Sequence, residues 1–138
     1  MGDYASLQET AKLQLKDASR VLLFDASGVV LVSTFEADPA ELKLLAQAVA
    51  DRDMAIRGGL QIQGIRYEVH RHYPPLVYGR TMGDVPEDSE GVAICRLEDG
   101  ITRQPIYGLI TYSMPNISAR MVPLLQQFCT QHLTASPQ

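Results

Sequence analysis

Hydrophobic and polar positions follow two rhythms along this chain, one near 3.6 residues and one of two. Residues 4–16 place Leu7, Ala11 and Leu15 four apart, which predicts a weakly amphipathic helix. VLLFD (21–25) and VVLVSTF (29–35) are aliphatic, β-branched runs on either side of Ala26-Ser27-Gly28, the pattern of a buried hairpin. The clearest helix start follows. Asp38 is placed to N-cap, Pro39 suits the first helical position and Glu41 would complete a capping box. Leu42, Leu45, Ala46 and Val49 then share one face, so a helix is predicted over 39–51, with a short irregular or helical stretch at 52–58.

Period two takes over after Gly58-Gly59. LQIQ and IRYEV flank Gly64, with Leu60, Ile62, Ile65, Tyr67 and Val69 inward and Arg66, Glu68 and His70 on the opposite face. That predicts a half-buried antiparallel hairpin. Pro74-Pro75 interrupts the run, LVYGR (76–80) reads as a short strand, and residues 81–90 form an acidic loop. GVAICRL (91–97) and IYGLITY (106–112) are apolar on both parities and are therefore predicted to be central strands. A last helix is predicted over about 117–132, capped by Asn116 or Ser118, with Ile117, Met121, Leu124, Leu125 and Phe128 on its apolar face. Pro123 would remove a hydrogen bond if that helix starts near Ala119. The order is helix, two strands, helix, about five strands, helix. It describes an α+β domain with a central antiparallel β-sheet flanked by N- and C-terminal helices and additional short helices.

Length adds that 1–138 reads as one domain, with a frayed tail at about 134–138. A chain of this size buries roughly 68–70% of its unfolded surface and needs no disulfide or metal for stability. No apolar run approaches the ~20 residues of a membrane span. The N-terminal segment is too polar for a signal peptide, so a cytoplasmic location is expected. Cys95 and Cys129 sit among apolar neighbours and read as small buried hydrophobes, with no disulfide expected in the cytosol.

The net charge of −4 is unevenly spread. Residues 56–82 carry Arg57, Arg66, Arg71 and Arg80 against Glu68 alone. Residues 83–99 carry Asp84, Glu87, Asp88, Glu90, Glu98 and Asp99 against Arg96 alone. Every basic residue after position 51 is Arg except the histidines, which suits either a protein interface or an ordinary solvated surface. An acidic chain without a long basic stripe disfavours nucleic acid, while leaving room for a local phosphate or lipid-headgroup patch.

Catalytic signatures are missing from the sequence. His70 and His72 alternate onto one strand face with no third ligand nearby, so no metal is expected. There is no nucleophile elbow, phosphate loop or dinucleotide fingerprint, and Gly58-Gly59 leads into a strand. Cys95 lies mid-strand beside Arg96, and the carboxylates of the acidic loop read as solvated. No enzyme activity and no cofactor are expected.

The segment GGLQIQGIRYEVHR, followed by VYGR and then EGVAICR, resembles the second half of profilins. The opening helix, the strand pair before a capped helix and the length agree with that resemblance. It implies an actin-monomer-binding protein that regulates actin polymerisation, acts in the cytoskeleton and is monomeric. The implied actin contacts are Arg66, Val69, Arg71, Arg80, Asn116 and Arg120. Profilins also bind proline-rich peptides on a platform of aromatic side chains. This chain has no Trp: Tyr4 and Val32 stand at the usual Trp positions, Leu7 at a usual Tyr position, and Phe128 is the aromatic left on the last helix. Weak or absent poly-proline binding is therefore expected. Phosphoinositide binding follows from the resemblance too, but the acidic total and the adjacent acidic loop weaken it. Another reading is a roadblock- or longin-like scaffold domain dimerising through sheet edges without actin, whose opening strands VLLFDASGVVLVS would suit.

Overall fold

The computed structural model describes residues 4–82 and 89–135. The chain runs through α1 (Ala5–Gln14), β1 (Arg20–Asp25), β2 (Val30–Ser33), α2 (Pro39–Ala50) and α3 (Arg52–Gly58). It continues with β3 (Leu60–Ile62), β4 (Ile65–Tyr73), β5 (Leu76–Thr81), β6 (Glu90–Leu97), β7 (Ile106–Ser113) and α4 (Ser118–His132). The described strands form one antiparallel sheet in the order β2-β1-β7-β6-β5-β4-β3. This is the α+β arrangement the pattern predicts. No helix among the described residues is long and apolar enough to cross a membrane.

The central strands β6 and β7 are apolar on both parities because each face has its own core. On one face Ala93, Cys95, Ile110 and Tyr112 pack with Ala11 and Leu15 of α1 and with Met121, Leu125 and Phe128 of α4. On the other, Val92, Ile94 and Leu109 pack with Leu42, Leu45 and Val49 of α2 and Ala55 of α3. The sheet is thus sandwiched between two helix pairs.

Local signals set most boundaries. Asp38 accepts the Ala40 N–H at 2.9 Å and Pro39 opens α2, as the sequence implies. Glu41 does not close a capping box. Its two carboxylate oxygens accept the N–H groups of Gln63 (2.8 Å) and Gly64 (3.0 Å), and so tie α2 to the β3–β4 turn. Gln63 and Gly64 both have positive φ, 52° and 79°, the two-residue turn whose twist suits a hairpin. Asp51 caps α3 through the Met54 N–H at 3.2 Å, which makes 52–58 helical.

The start of α4 differs from the sequence expectation. Ile117 occupies the N-cap position and no side chain caps the helix. Asn116 donates instead to the Asp17 carbonyl at 3.2 Å, and the Ser118 hydroxyl pairs with the Tyr112 hydroxyl at 2.9 Å. Tertiary partners have taken both candidate caps. Pro123 lies inside the helix and is exposed, so Ala119 lacks its usual i+4 donor there. Thr134 bridges to Gly100 and the Ala135 N–H donates to the Asp99 carbonyl at 2.8 Å, while 136–138 of the expected frayed tail lie outside the described residues.

At one end of the sheet a polar network replaces apolar packing. Glu90, the first residue of β6, accepts from the Arg20 guanidinium and from the Tyr67 hydroxyl at 3.0 Å. Arg20 Nε also donates to Gln63 Oε1 at 2.7 Å. Glu90, counted above with the acidic loop, is therefore committed to the fold; residues 83–88 of that loop lie outside the described residues.

Candidate functional site

A strip of β4 and β5 lies on the α4 side of the sheet, beside the part that α4 covers. Its composition depends on one irregularity. Cross-strand pairing runs Glu68 with Arg80 and Val69 with Gly79, then skips His70 and resumes with Arg71 opposite Tyr78. This β-bulge reverses the parity beyond it. Strict alternation would place Arg71 with Tyr67 and Val69; the extra residue returns it to the face of Arg66, Glu68, Tyr78 and Arg80. Gly79 makes the bulge possible, because a Cβ there would lie 1.8 Å from the Glu68 carbonyl oxygen.

The strip is cationic, with its charges held to different degrees. Arg66 Nε donates to Glu68 Oε2 at 2.8 Å and a terminal nitrogen donates to the Arg57 carbonyl at 3.1 Å. Arg80 donates to the nearly buried Ser89 hydroxyl at 2.7 Å. Arg71 is exposed and has no hydrogen-bond or ion-pair partner among the described residues. Among the described residues the strip carries three guanidinium groups against the Glu68 carboxylate, inside a chain that is acidic overall.

Toward α4 the strip continues through Arg80 to its cross-strand partner Gly91, over which the Tyr112 ring lies. Burial raises the Tyr112 hydroxyl above the ordinary tyrosine pKa, partly offset by the Ser118 hydrogen bond and the Arg80 charge. Beyond it Met114 (51% exposed) and Ile117 (46% exposed) offer apolar surface at the start of α4. Between the end of β4 and α4 runs a groove of about 530 Å³, with Arg52, His70 and Arg71 on one wall and Val122, Pro123 and Gln126 on the other.

The structure brings together Arg66, Arg71 and Arg80, and leaves the other three expected contacts elsewhere. Val69 is half-buried on the opposite face, packed against the α2–α3 core. Asn116 and Arg120 sit at the start of α4 but engage the α1–β1 connection. Arg120 donates to Asn116 Oδ1 at 2.9 Å and pairs with Asp17 Oδ2 at 2.5 Å. The two histidines also part company: His72 lies 2.9 Å from the Ala48 carbonyl on the α2 side, while His70 is the bulge residue itself. Sequence reading placed Glu68 on the face of Arg66 but named neither it nor Tyr78 as a site residue. Tyr78 was within reach, because it stands two residues from Arg80 on one strand.

The four residues expected at an aromatic platform are mostly core. Phe128 is 1% exposed and Val32 6%, while Tyr4 and Leu7 are half-buried against the same cluster. The Phe128 ring tilts against His132 at a centroid distance of 4.9 Å, and His132 Nε2 lies 3.2 Å from Gln14 Oε1, so α1 and α4 are linked at this point.

No protein-family model and no curated protein sequence matches this chain. Solved structures do. Acanthamoeba castellanii profilin II matches with a TM-score of 0.73 at 17% identity, over 94% of this chain and 95% of its own. Schizosaccharomyces pombe profilin matches with a TM-score of 0.74 at 15% identity, over the same 94% and 95%. LokiProfilin2, in a structure with rabbit actin, matches with a TM-score of 0.65 at 14% identity, over 95% of this chain and 96% of its own. At these identities the likeness is one of architecture, and the architecture of this chain is the profilin fold.

Proposed function

We propose that this chain is a non-enzymatic binder of monomeric actin that restrains actin polymerisation, using the β4–β5 strip and the exposed start of α4. The observation that carries the reading is the bulge that brings Arg71 to the face of Arg66 and Arg80 on a profilin fold. Guanidinium groups there suit acidic groups on a partner, and Met114 and Ile117 suit an apolar border. A solved complex of a similarly folded protein, LokiProfilin2, with rabbit actin supports actin as the partner class. In the same reading poly-proline binding is weak or absent, because Phe128 and Val32 offer almost no surface to a peptide.

The test is a pull-down of G-actin run in parallel with a poly-proline column. A 1:1 actin complex, slower spontaneous nucleation and no column retention are expected. Arg71→Glu, at an exposed position with no internal partner to lose, is expected to weaken actin binding by about 2–5 kcal/mol through loss of a desolvated charge pair. Unchanged affinity in Arg71→Glu and Arg80→Glu would remove the strip from the interface. A stable homodimer that ignores actin would replace the reading with the edge-pairing scaffold.

A further inference from the structure

Cys95 on β6 and Cys129 on α4 are both free and both buried. They meet where the helix crosses the sheet. Gly108 of β7 is the cross-strand partner of Cys95, and a Cβ built on Gly108 would lie 2.4 Å from Cys129 Sγ. The Cys129 sulfur therefore rests on the glycine beside Cys95, and both side chains belong to the same buried cluster. Two small apolar side chains would fill this space equally well; two facing thiols add a reaction. The groove between β4 and α4 lies near them, without being lined by either thiol. Its lining includes Leu76, which pairs across the strands with Cys95, and Val122, two turns before Cys129 on α4.

We propose that Cys95 and Cys129 form a peroxide-sensitive modification site, closing to an intramolecular disulfide that staples α4 to β6. The co-reactant is a hydroperoxide, hydrogen peroxide being the smallest. The Cys95 thiolate attacks one peroxide oxygen, the O–O bond breaks, and Cys95 becomes a sulfenic acid as the departing hydroxide takes a proton to become water. Cys129 sulfur then attacks the Cys95 sulfur. The S–O bond breaks, the Cys129 proton leaves with the hydroxide as a second water, and two electrons have passed from two thiols to one peroxide. The order of attack follows from opposite shifts: the neighbouring Cys129 holds the Cys95 thiol below its ordinary pKa despite burial, whereas Cys95 and burial together push Cys129 well above its own. The site stands whether or not actin is the partner.

The experiment treats the folded full chain with hydrogen peroxide, quenches with an alkylating agent in denaturant, and measures intact mass. The expected product has lost two hydrogens, about 2 Da, and takes up no alkyl group. Trypsin, cutting after Arg80, Arg96 and Arg120, then gives residues 81–96 joined to 121–138, released by a reductant. Closing this long loop is expected to raise Tm by roughly 10 °C. In Cys129→Ser, checked for folding by circular dichroism, Cys95 is expected to stop at a sulfenic acid that dimedone traps. Thiols that stay untouched in the folded chain, a product that only gains oxygen atoms, or cross-links between chains would each overturn the proposal. Failure of Cys129→Ser to fold would leave the wild-type cross-link as the deciding readout.

Discussion

At position 79 the backbone of β5 passes so close to the Glu68 carbonyl that hydrogen is the side chain that fits. The crowding atom is main chain within a paired strand, so relief requires the bulge itself to move. Gly79→Ala is expected to lower unfolding free energy by about 2–4 kcal/mol, read as a lower urea midpoint. Gly58→Ala is the control: a Cβ there meets nothing within 4 Å, and the change should stay within about 0.5 kcal/mol. The same residue explains why the face of Arg71 could not be read from periodicity. The skipped His70 is created by contact between two strands, and neither His70 nor Gly79 announces it alone. Asp38 and Pro39, by contrast, act on their own helix within two residues, and their role was legible.

Elements show the same division between local and distant causes. The β3–β4 hairpin was visible because its turn, its alternation and its burial all lie within a dozen residues. Glu41, Asn116 and Ser118 each have a capping residue's chemistry, but a partner on another element claims their side chains. Helix-start rules see the donors within one turn and cannot see these. The pairing of α1 with α4 carries a functional consequence of this kind. Phe128 turns inward against His132 and the core, while Tyr4 and Leu7 pack on the same cluster. A proline decamer titrated to millimolar concentration is expected to give no saturable change in tyrosine fluorescence. Saturation with profilin-like affinity would show that the helix pair opens to admit it.

For the whole molecule, the buried tyrosines set an alkaline limit on stability. Burial and the Glu90 carboxylate raise the Tyr67 hydroxyl far above its ordinary range, and burial raises Tyr107 and Tyr112 as well. In each case the folded chain keeps a proton that the unfolded chain releases above about pH 10. Their contribution is complete below that pH and is lost as pH rises toward the native values. Denaturant midpoints should be flat from pH 7 to 9 and fall beyond pH 10, less steeply in Tyr67→Phe. On the acid side the sign reverses. Burial alone would raise Asp25, but donors from Ser27 and Val29 outweigh it and hold the carboxyl low, so its contribution is lost as pH falls below about 4. The α+β order could be read from the chain because each element is written locally. The network joining Arg20, Gln63, Tyr67 and Glu90 could not, because it exists only once distant segments have met.

The strand order also governs how the chain must be made. β1 pairs with β7, Val21 lying opposite Ile110, so the first hairpin finds its place only after nearly the whole chain has been synthesised. At the usual ribosomal pace of about 5–20 residues per second, β1 waits on the order of ten seconds beside an absent neighbour. In the folded sheet the apolar run of residues 21–25 is covered on one side by β7, so its burial depends on that late-made strand. The sheet is thus closed by a pairing between segments that lie far apart in the sequence.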